Sequence, residues 1–339
     1  MFVLGVETSC DETSASVVAD GEVKSNVISS QIVHSRFGGV VPELASRAHL
    51  RLIIRVVEEA LAQAGVAKGD LDAVAATQGP GLAGALLVGL SFAKAFAFGR
   101  RIPFVGINHL EGHLYSNLLT RPAHGFPFLS LVVSGGHTML VHVERPFHHR
   151  VLGQTRDDAA GEAFDKVSRM LGLGYPGGPI IDARAKLGNP RAIDFPRAFL
   201  GEGYEFSFSG IKTAVLYYLR RRGLPVPFRE GEQAHAELIN DICASFQEAI
   251  VDVLVSKTVA AAKEFRAREV SIAGGVSANT RLRNRLRAEA ETVGFRLFTP
   301  PLEYCMDNGA MIAYVGWMRL VAGERSSFEI PVAANLELT

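Results

Sequence analysis

The same unit of strand, short polar loop and strand heads each half of the chain, and it constrains the fold more than any other feature. In the first copy, residues 2–6 (FVLGV) are an apolar run, Glu7 to Thr13 a polar loop, and residues 14–19 (SASVVA) a second run. The turn Asp20-Gly21 and a third strand near residues 22–28 follow. In the second copy Phe128 to Val133 is apolar, Ser134-Gly135-Gly136-His137 is a small polar loop, and Thr138 to Val143 is the next strand. One hairpin says little, since hairpins are common. The same unit opening both halves predicts two related lobes, and 339 residues give room for two domains of ordinary size.

Between these heads, helical and strand patterns alternate, which indicates an α/β architecture. Leu44, Leu52, Ile53, Val56, Val57, Ala60 and Leu61 recur at helical spacing over 43–64, and Gly65 stops that helix as a C-terminal cap. A strand is expected at Ala73 to Thr77, a long apolar helix from about residue 82, a buried strand at 102–107 and a helix from near His109. A Pro/His/Gly stretch, Pro122 to Pro127, precedes the second half. There Val270 to Ala273 reads as a buried strand, and the last strong helix spans about 307–321. The tail from about 323 adds little. Leu82 to Phe98 is the longest apolar run, but Lys94 interrupts it, so a buried helix is the better reading than a membrane span.

Composition sets limits without pointing to a substrate. Hydrophobic residues are 48% and charged residues 21%, a globular balance. Lys plus Arg equals Asp plus Glu at 35 each, so any RNA contact must come from a local patch or a partner. Cys10, Cys243 and Cys305 show no paired or metal-type spacing, and a sparse odd count suits a reducing cytoplasm. The start, MFVLGVETSC, has neither a basic opening nor a long apolar stretch, so no signal peptide is expected.

His109 and His113 are the sharpest local feature. Four apart on a helix, they share one face, as two imidazoles on one metal ion would. Two structural histidines meeting that spacing by chance is the competing reading. The segment HLEGH tempts a metalloprotease reading, but Glu111 sits two residues after His109 rather than one. At roughly 100° per residue it points about 200° away, and peptidase chemistry is discounted. Asp307, in YCMDNGAM, is a candidate third ligand, with helix capping as its ordinary alternative. Two histidines and one carboxylate suit Fe(II), with Zn(II) the competitor.

Gly79-Pro80-Gly81-Leu82-Ala83-Gly84 matches a dinucleotide fingerprint, but the next strand ends at Gly106-Ile107-Asn108 without an acid. A tight turn with close helix packing is the better reading. Thr8-Ser9, Ser134 to Gly136, Gly177-Gly178 and Gly274-Gly275 are small-residue loops able to hold phosphate through backbone N–H groups, or to act as plain turns. Asp11 and Glu12 lie in the first small loop, where they either orient a metal or nucleophile or are solvated. Asp165 and Lys166 could bond a sugar or amine. Arg281, Arg283, Arg285 and Arg287 spread around their helix, reading as a solvated face or as an RNA-facing patch.

Taken in order, these segments closely resemble the TsaD family, once called Gcp or O-sialoglycoprotein endopeptidase. The matching pieces are ETSCDETS at 7–14, GGVVPELASRAHL at 38–50, GPGLAGALLVGLSFAKA at 79–95, NHLEGHLYS at 108–116 and LVVSGGHTML at 131–140. DDAAGEAFDKVSRMLGLGYPGGP at 157–179, FSFSGIKTAV at 206–215, GGVSANTRLR at 274–283 and YCMDNGAMIA at 304–313 continue the series. The resemblance implies an actin-like ATPase and sugar-kinase fold, with two ribonuclease-H-like lobes around a cleft. It places residues 1–122 and about 303–339 in one lobe and 123–302 in the other. It implies transfer of threonylcarbamoyl from threonylcarbamoyl-AMP to N6 of the adenosine just 3′ of the anticodon. The tRNAs concerned read codons beginning with A, and AMP leaves. His109, His113 and Asp307 match the family's metal ligands, generally assigned as iron. Val132, Val133, Ser134, Gly135, Gly136, Asp165, Gly178, Asp182 and Asn279 match its substrate-binding positions, and Asp11 and Glu12 its first-loop acids. A TsaB-like paralogue and a TsaE-like ATPase are the implied partners beside tRNA. The rival is a nucleotide-binding phosphotransferase or ATPase on the same fold.

Overall fold

The first hairpin closes as its sequence asks. In a computed structural model, which describes residues 1–120, 125–199, 201, 203–227 and 233–338, Asp20 and Gly21 both take positive φ, +49° and +85°. Those angles give a two-residue turn whose twist suits paired strands. It joins β2 (Glu12–Ala19) to β3 (Glu22–Ser30), and β2 pairs antiparallel with β1 (Phe2–Glu7). Helix α1 (Pro42–Ala64) starts with proline, whose missing N–H is not needed there, and Gly65 closes it at φ +66°. Strands β4 (Ala73–Gly79) and β5 (Phe104–Asn108) add in parallel beyond β1, with α2 (Ala83–Arg100) as the crossover. The sheet order is β3-β2-β1-β4-β5. α3 (His109–Tyr115) follows β5 directly.

The second sheet repeats that plan. β6 (Phe128–Val133), β7 (Thr138–Arg145) and β8 (His148–Gln154) form an antiparallel meander. Four helices follow: α4 (Ala160–Met170), α5 (Gly177–Ala185), α6 (Ser209–Arg221) and α7 (Gln233–Glu264). β9 (Glu269–Ala273) then joins β6 in parallel, and after α8 (Thr280–Val293) comes β10 (Arg296–Phe298). The order β10-β9-β6-β7-β8 is that of the first sheet. Leu129, Leu131, Phe164, Phe206, Phe208 and Phe246 are fully enclosed in this unit's core. The chain thus divides into two units, Met1–Ala123 with Pro301–Leu338 and His124–Pro300. Of the Pro122 to Pro127 stretch, residues up to 124 lie outside the described residues.

α9 (Gly309–Val321) returns to the first unit and lies directly on its sheet. Glycine makes the approach possible. A Cβ on Gly5 would overlap the backbone of Ala313, one on Gly309 would stand 2.7 Å from Ala15 backbone, and one on Gly316 would overlap the Ala75 side chain. The 79–84 glycines serve the same end: a Cβ on Gly79 would overlap the Ala333 carbonyl, and one on Gly81 would stand 2.6 Å from the Ser9 carbonyl. α2 has the length and composition of a membrane span. It buries the face of Ala85, Leu86, Leu90, Ala93 and Ala97 in the core, while Leu87 and Phe98 are exposed.

The tail contributes more than its sequence suggests. Ser326 N–H donates to the Phe104 carbonyl at 2.9 Å, Ala333 N–H to Gln78 at 2.9 Å, and Gly81 N–H to Ala334 at 3.1 Å. Asn108 Nδ2 donates to the Glu337 carbonyl at 2.8 Å. The segment therefore straps the ends of β4 and β5. Phe328 also stacks on Phe104, and Ile330 and Val332 pack against the core, but scattered contacts of this kind leave no apolar period.

Gly5→Ala should lower stability by about 1–3 kcal/mol through overpacking. Gly99→Ala, whose Cβ would meet nothing within 4 Å, should be neutral or raise it by up to about 1 kcal/mol. Thermal unfolding of the two variants checks the pair, and equal losses would overturn the packing argument.

Candidate functional site

α3 begins where β5 ends, so its histidines project from the end of a parallel strand. Asn108 caps the helix, its Oδ1 accepting from Leu110 N–H at 2.9 Å. The four-residue spacing brings the two imidazoles together, ring centres 4.7 Å apart and near perpendicular at 86°. Glu111, itself buried, points the other way into a bidentate pair with Arg319 of α9, at 2.7 Å for each oxygen. The peptidase reading therefore lacks its base.

Asn308, not Asp307, caps α9: its Oδ1 accepts from Met311 N–H at 3.0 Å. The capping role open to Asp307 is thus filled by its neighbour. Asp307 Oδ1 stands 3.0 Å from His113 Nε2 and 3.5 Å from His109 Nε2. One ligand atom from each residue lies within 4.8 Å of the others. Both histidines are buried, and His113 Nδ1 has no hydrogen-bond partner among the described residues.

Charge around this group is lopsided. Glu7 is fully buried and Glu12 is 6% exposed. Burial, then the Asp307 and Asp11 carboxylates, hold the Glu12 carboxyl well above its ordinary range. Burial alone would raise Glu7, but the neighbouring His109 imidazole holds it low. Burial likewise opposes a charged His109, yet Asp307 and Glu7 push it up to about 9. Acids that push both a neighbouring carboxyl and a neighbouring imidazole upward leave the site with surplus negative charge. Two imidazole nitrogens and a carboxylate oxygen beside that surplus fit a divalent cation. The Cys10 thiol is pushed far up by burial and by Asp11, which removes it as a nucleophile.

Two supports escaped the sequence reading. Glu7 accepts from Ser9 N–H, from Thr77 Oγ1 at 2.5 Å and from His109 Nδ1 at 3.1 Å. Its signal was an acid ending an apolar strand inside ETSCDETS. His49 donates from Nε2 to the Cys10 carbonyl at 2.9 Å and accepts from Thr13 Oγ1 at 2.8 Å. That pins the loop leading to Glu12, and only the third dimension reveals it. Asp11, partly exposed, takes the loop's Gln31 N–H on its carbonyl at 3.2 Å.

The predicted substrate-binding positions all lie in the second unit, each held by its own neighbours. The Ser134 carbonyl accepts from Gly161 N–H at 3.2 Å at the start of α4. Asp165 Oδ1 accepts from Gly177 N–H at 2.7 Å, and Asp182 from Thr280 Oγ1 at 2.8 Å. Asn279 caps α8 through Leu282 N–H at 3.0 Å and donates to Gln247 at 2.7 Å. A Cβ on Gly135, Gly136 or Gly178 would meet nothing within 4 Å, so backbone there is open to approach. Val132 and Val133 are fully buried strand residues, which leaves only their backbone available to a ligand. Lys166 is held by Asp158 and Glu162, both at 2.8 Å. Arg281 and Arg285 do not form an RNA-facing row. Both bind Glu248 of α7, and Arg285 also binds Asp252, while Arg283 bonds the Pro300 carbonyl at 2.9 Å.

Solved structures share this architecture. Component A of the Acidaminococcus fermentans (R)-2-hydroxyglutaryl-CoA dehydratase superposes with TM-score 0.53 at 17% identity, covering 93% of this chain and 97% of that one. HypF of T. kodakarensis gives TM-score 0.62 at 14% identity, over 95% of this chain and 48% of its own. The fold is that of actin-like ATPases. Sequence relatives are far nearer. The tRNA N6-adenosine threonylcarbamoyltransferase of Salinibacter ruber is 54% identical over 100% of both chains. That of Moorella thermoacetica is 53% identical over 94% of this chain and 92% of its own. The family model TsaD, tRNA N6-adenosine threonylcarbamoyltransferase, matches residues 22–314. With that match and full-length relatives more than half identical, the chain belongs to the TsaD family of tRNA N6-adenosine threonylcarbamoyltransferases.

Proposed function

We propose that this protein works in the cytoplasm and moves a threonylcarbamoyl group from threonylcarbamoyl-AMP to N6 of the adenosine 3′ of the anticodon. Its tRNAs read codons beginning with A, and AMP is released. The observation carrying this reading is the convergence of His109, His113 and Asp307 within 4.8 Å in a chain whose full-length relatives bear that activity in their names. A TsaB-like paralogue and a TsaE-like ATPase are its proposed partners.

Acyl transfer from a mixed anhydride begins with a good leaving group. The protein's task is to align two substrates and stabilise developing charge. His109, His113 and Asp307 would hold one divalent cation, Fe(II) before Zn(II), which supplies Lewis acidity toward a carbonyl or phosphate oxygen. The backbone N–H groups of Gly135 and Gly136, and Gly178 at the start of α5, suit the adenylate phosphate. Asp165 and Asp182 orient the neighbouring helix starts, and Asn279 acts through the loop it caps. N6 attacks the carbamoyl carbon, the bond to the phosphate oxygen breaks, and AMP leaves with that electron pair. The N6 proton passes to Glu12, which must be ionised at that moment. A carboxyl held above its usual range is the stronger base once ionised.

The direct test mixes the protein with its two partners, ATP, unmodified tRNA and labelled threonylcarbamoyl-AMP. The RNA is then digested and its nucleosides read by mass spectrometry. Labelled threonylcarbamoyladenosine is expected with the native protein and is lost when His109 and His113 are both replaced by Ala. ATP turnover without tRNA, and no labelled nucleoside, would move the protein to the phosphotransferase class. Glu12→Gln should cut kcat by roughly 10²- to 10⁴-fold with KM for tRNA unchanged. A kcat within twofold of native would remove Glu12 from proton transfer.

A further inference from the structure

We propose that Glu7 is a positioning residue that fixes which nitrogen of His109 faces the cation, and so sets the affinity of the site. The proposal rests on the metal reading above. Glu7 ends β1 with its side chain fully buried, and a bare carboxylate there would be costly. It is not bare. Ser9 N–H is on Oε1, and Thr77 Oγ1 (2.5 Å) and His109 Nδ1 (3.1 Å) are on Oε2. Ser9 Oγ lies 3.2 Å from the same His109 nitrogen.

An ionised carboxylate can only accept. Facing Glu7, His109 must therefore carry its proton on Nδ1. The lone pair of the neutral ring is then on Nε2, the atom 3.5 Å from Asp307 Oδ1. An acceptor of this kind behind a ligand histidine fixes its tautomer and raises its basicity. The two histidines differ here. His113 Nδ1 is buried without a hydrogen-bond partner among the described residues, so no acceptor fixes its tautomer from behind, and its Nε2 lies 3.0 Å from Asp307. Glu7 also ties α3 to strands β1 and β4 through one group, because its donors come from Ser9, Thr77 and His109. The strand end, rather than the short helix alone, sets the position of the first ligand.

The test needs no turnover. Zinc is titrated into the metal-free native protein and Glu7→Gln against a chromophoric chelator. Gln keeps the shape but can turn its amide N–H toward Nδ1 and favour the wrong tautomer. Glu7→Gln should bind zinc about 10- to 100-fold more weakly, and its Co(II) form should show shifted visible bands. Affinity within threefold of native, with unchanged Co(II) bands, would overturn the proposal. Histidine ¹⁵N spectra of the zinc-loaded native protein give a second reading that needs no variant. A proton on His109 Nδ1 with zinc on Nε2 supports the assignment, and zinc on Nδ1 refutes it. A native protein that binds no divalent cation would sink the metal reading and this proposal with it. Equal binding by both forms would sink this proposal alone.

Discussion

The close seat of α9 on the first sheet is the contact on which the candidate centre depends. Asp307 is far from His109 and His113 in sequence and reaches them because α9 starts just after it and cannot shift. Gly5, Gly309 and Gly316 remove the side chains that would hold the helix away. Ser14 Oγ accepts from Gly309 N–H at 2.7 Å and fixes the first turn. Arg319, farther along, binds Glu111 on the back of α3. The helix that brings the carboxylate ligand thus also grips the helix that brings the imidazoles. Both partners of that ion pair are largely buried, so losing either strands a charge. The cation would therefore meet ligands already held by packing.

Electrostatics then explains why acids gather where desolvation penalises them. Glu7, Glu12 and Asp307 gather about two buried imidazoles, and their charges push the Glu12 carboxyl and the His109 ring upward. Such an arrangement is tolerated where a cation or a substrate amine completes it. A site meant only for stability would be easier to build from apolar side chains.

Elements set by local rules were legible in the sequence. The Asp20-Gly21 turn, the Gly65 cap, the crossover helix near residue 82 and the repeated hairpin follow from backbone conformation and apolar period. Matters decided by distant partners were not. Asp307 and Asn308 are adjacent and equally able to cap, and only the fold shows that Asn308 does. Glu7 reads as the end of a strand until His109 is placed beside it. The arginines of α8 look solvated because their acids lie on α7, more than thirty residues earlier. The strap after residue 323 is held by backbone bonds and a few scattered apolar contacts, which no side-chain period announces. For the nine substrate positions the resemblance supplied the residues. The structure adds that Val132 and Val133 have only backbone to offer.

The two sheets show how one skeleton can carry opposite chemistry. Each begins with a meander whose first loop lies at the end of its central strand, and in both units a parallel strand follows on the other side. In the first unit that loop runs Thr8-Ser9-Cys10-Asp11 into Glu12, and its neighbours are acids and imidazoles. In the second it runs Ser134-Gly135-Gly136-His137, with open space beside both glycines. Side chains that suit a cation occupy one copy, and bare backbone N–H groups that suit an anion occupy the other. The two loops differ while the strands that carry them pair in the same order, so each unit has its own chemistry on one skeleton.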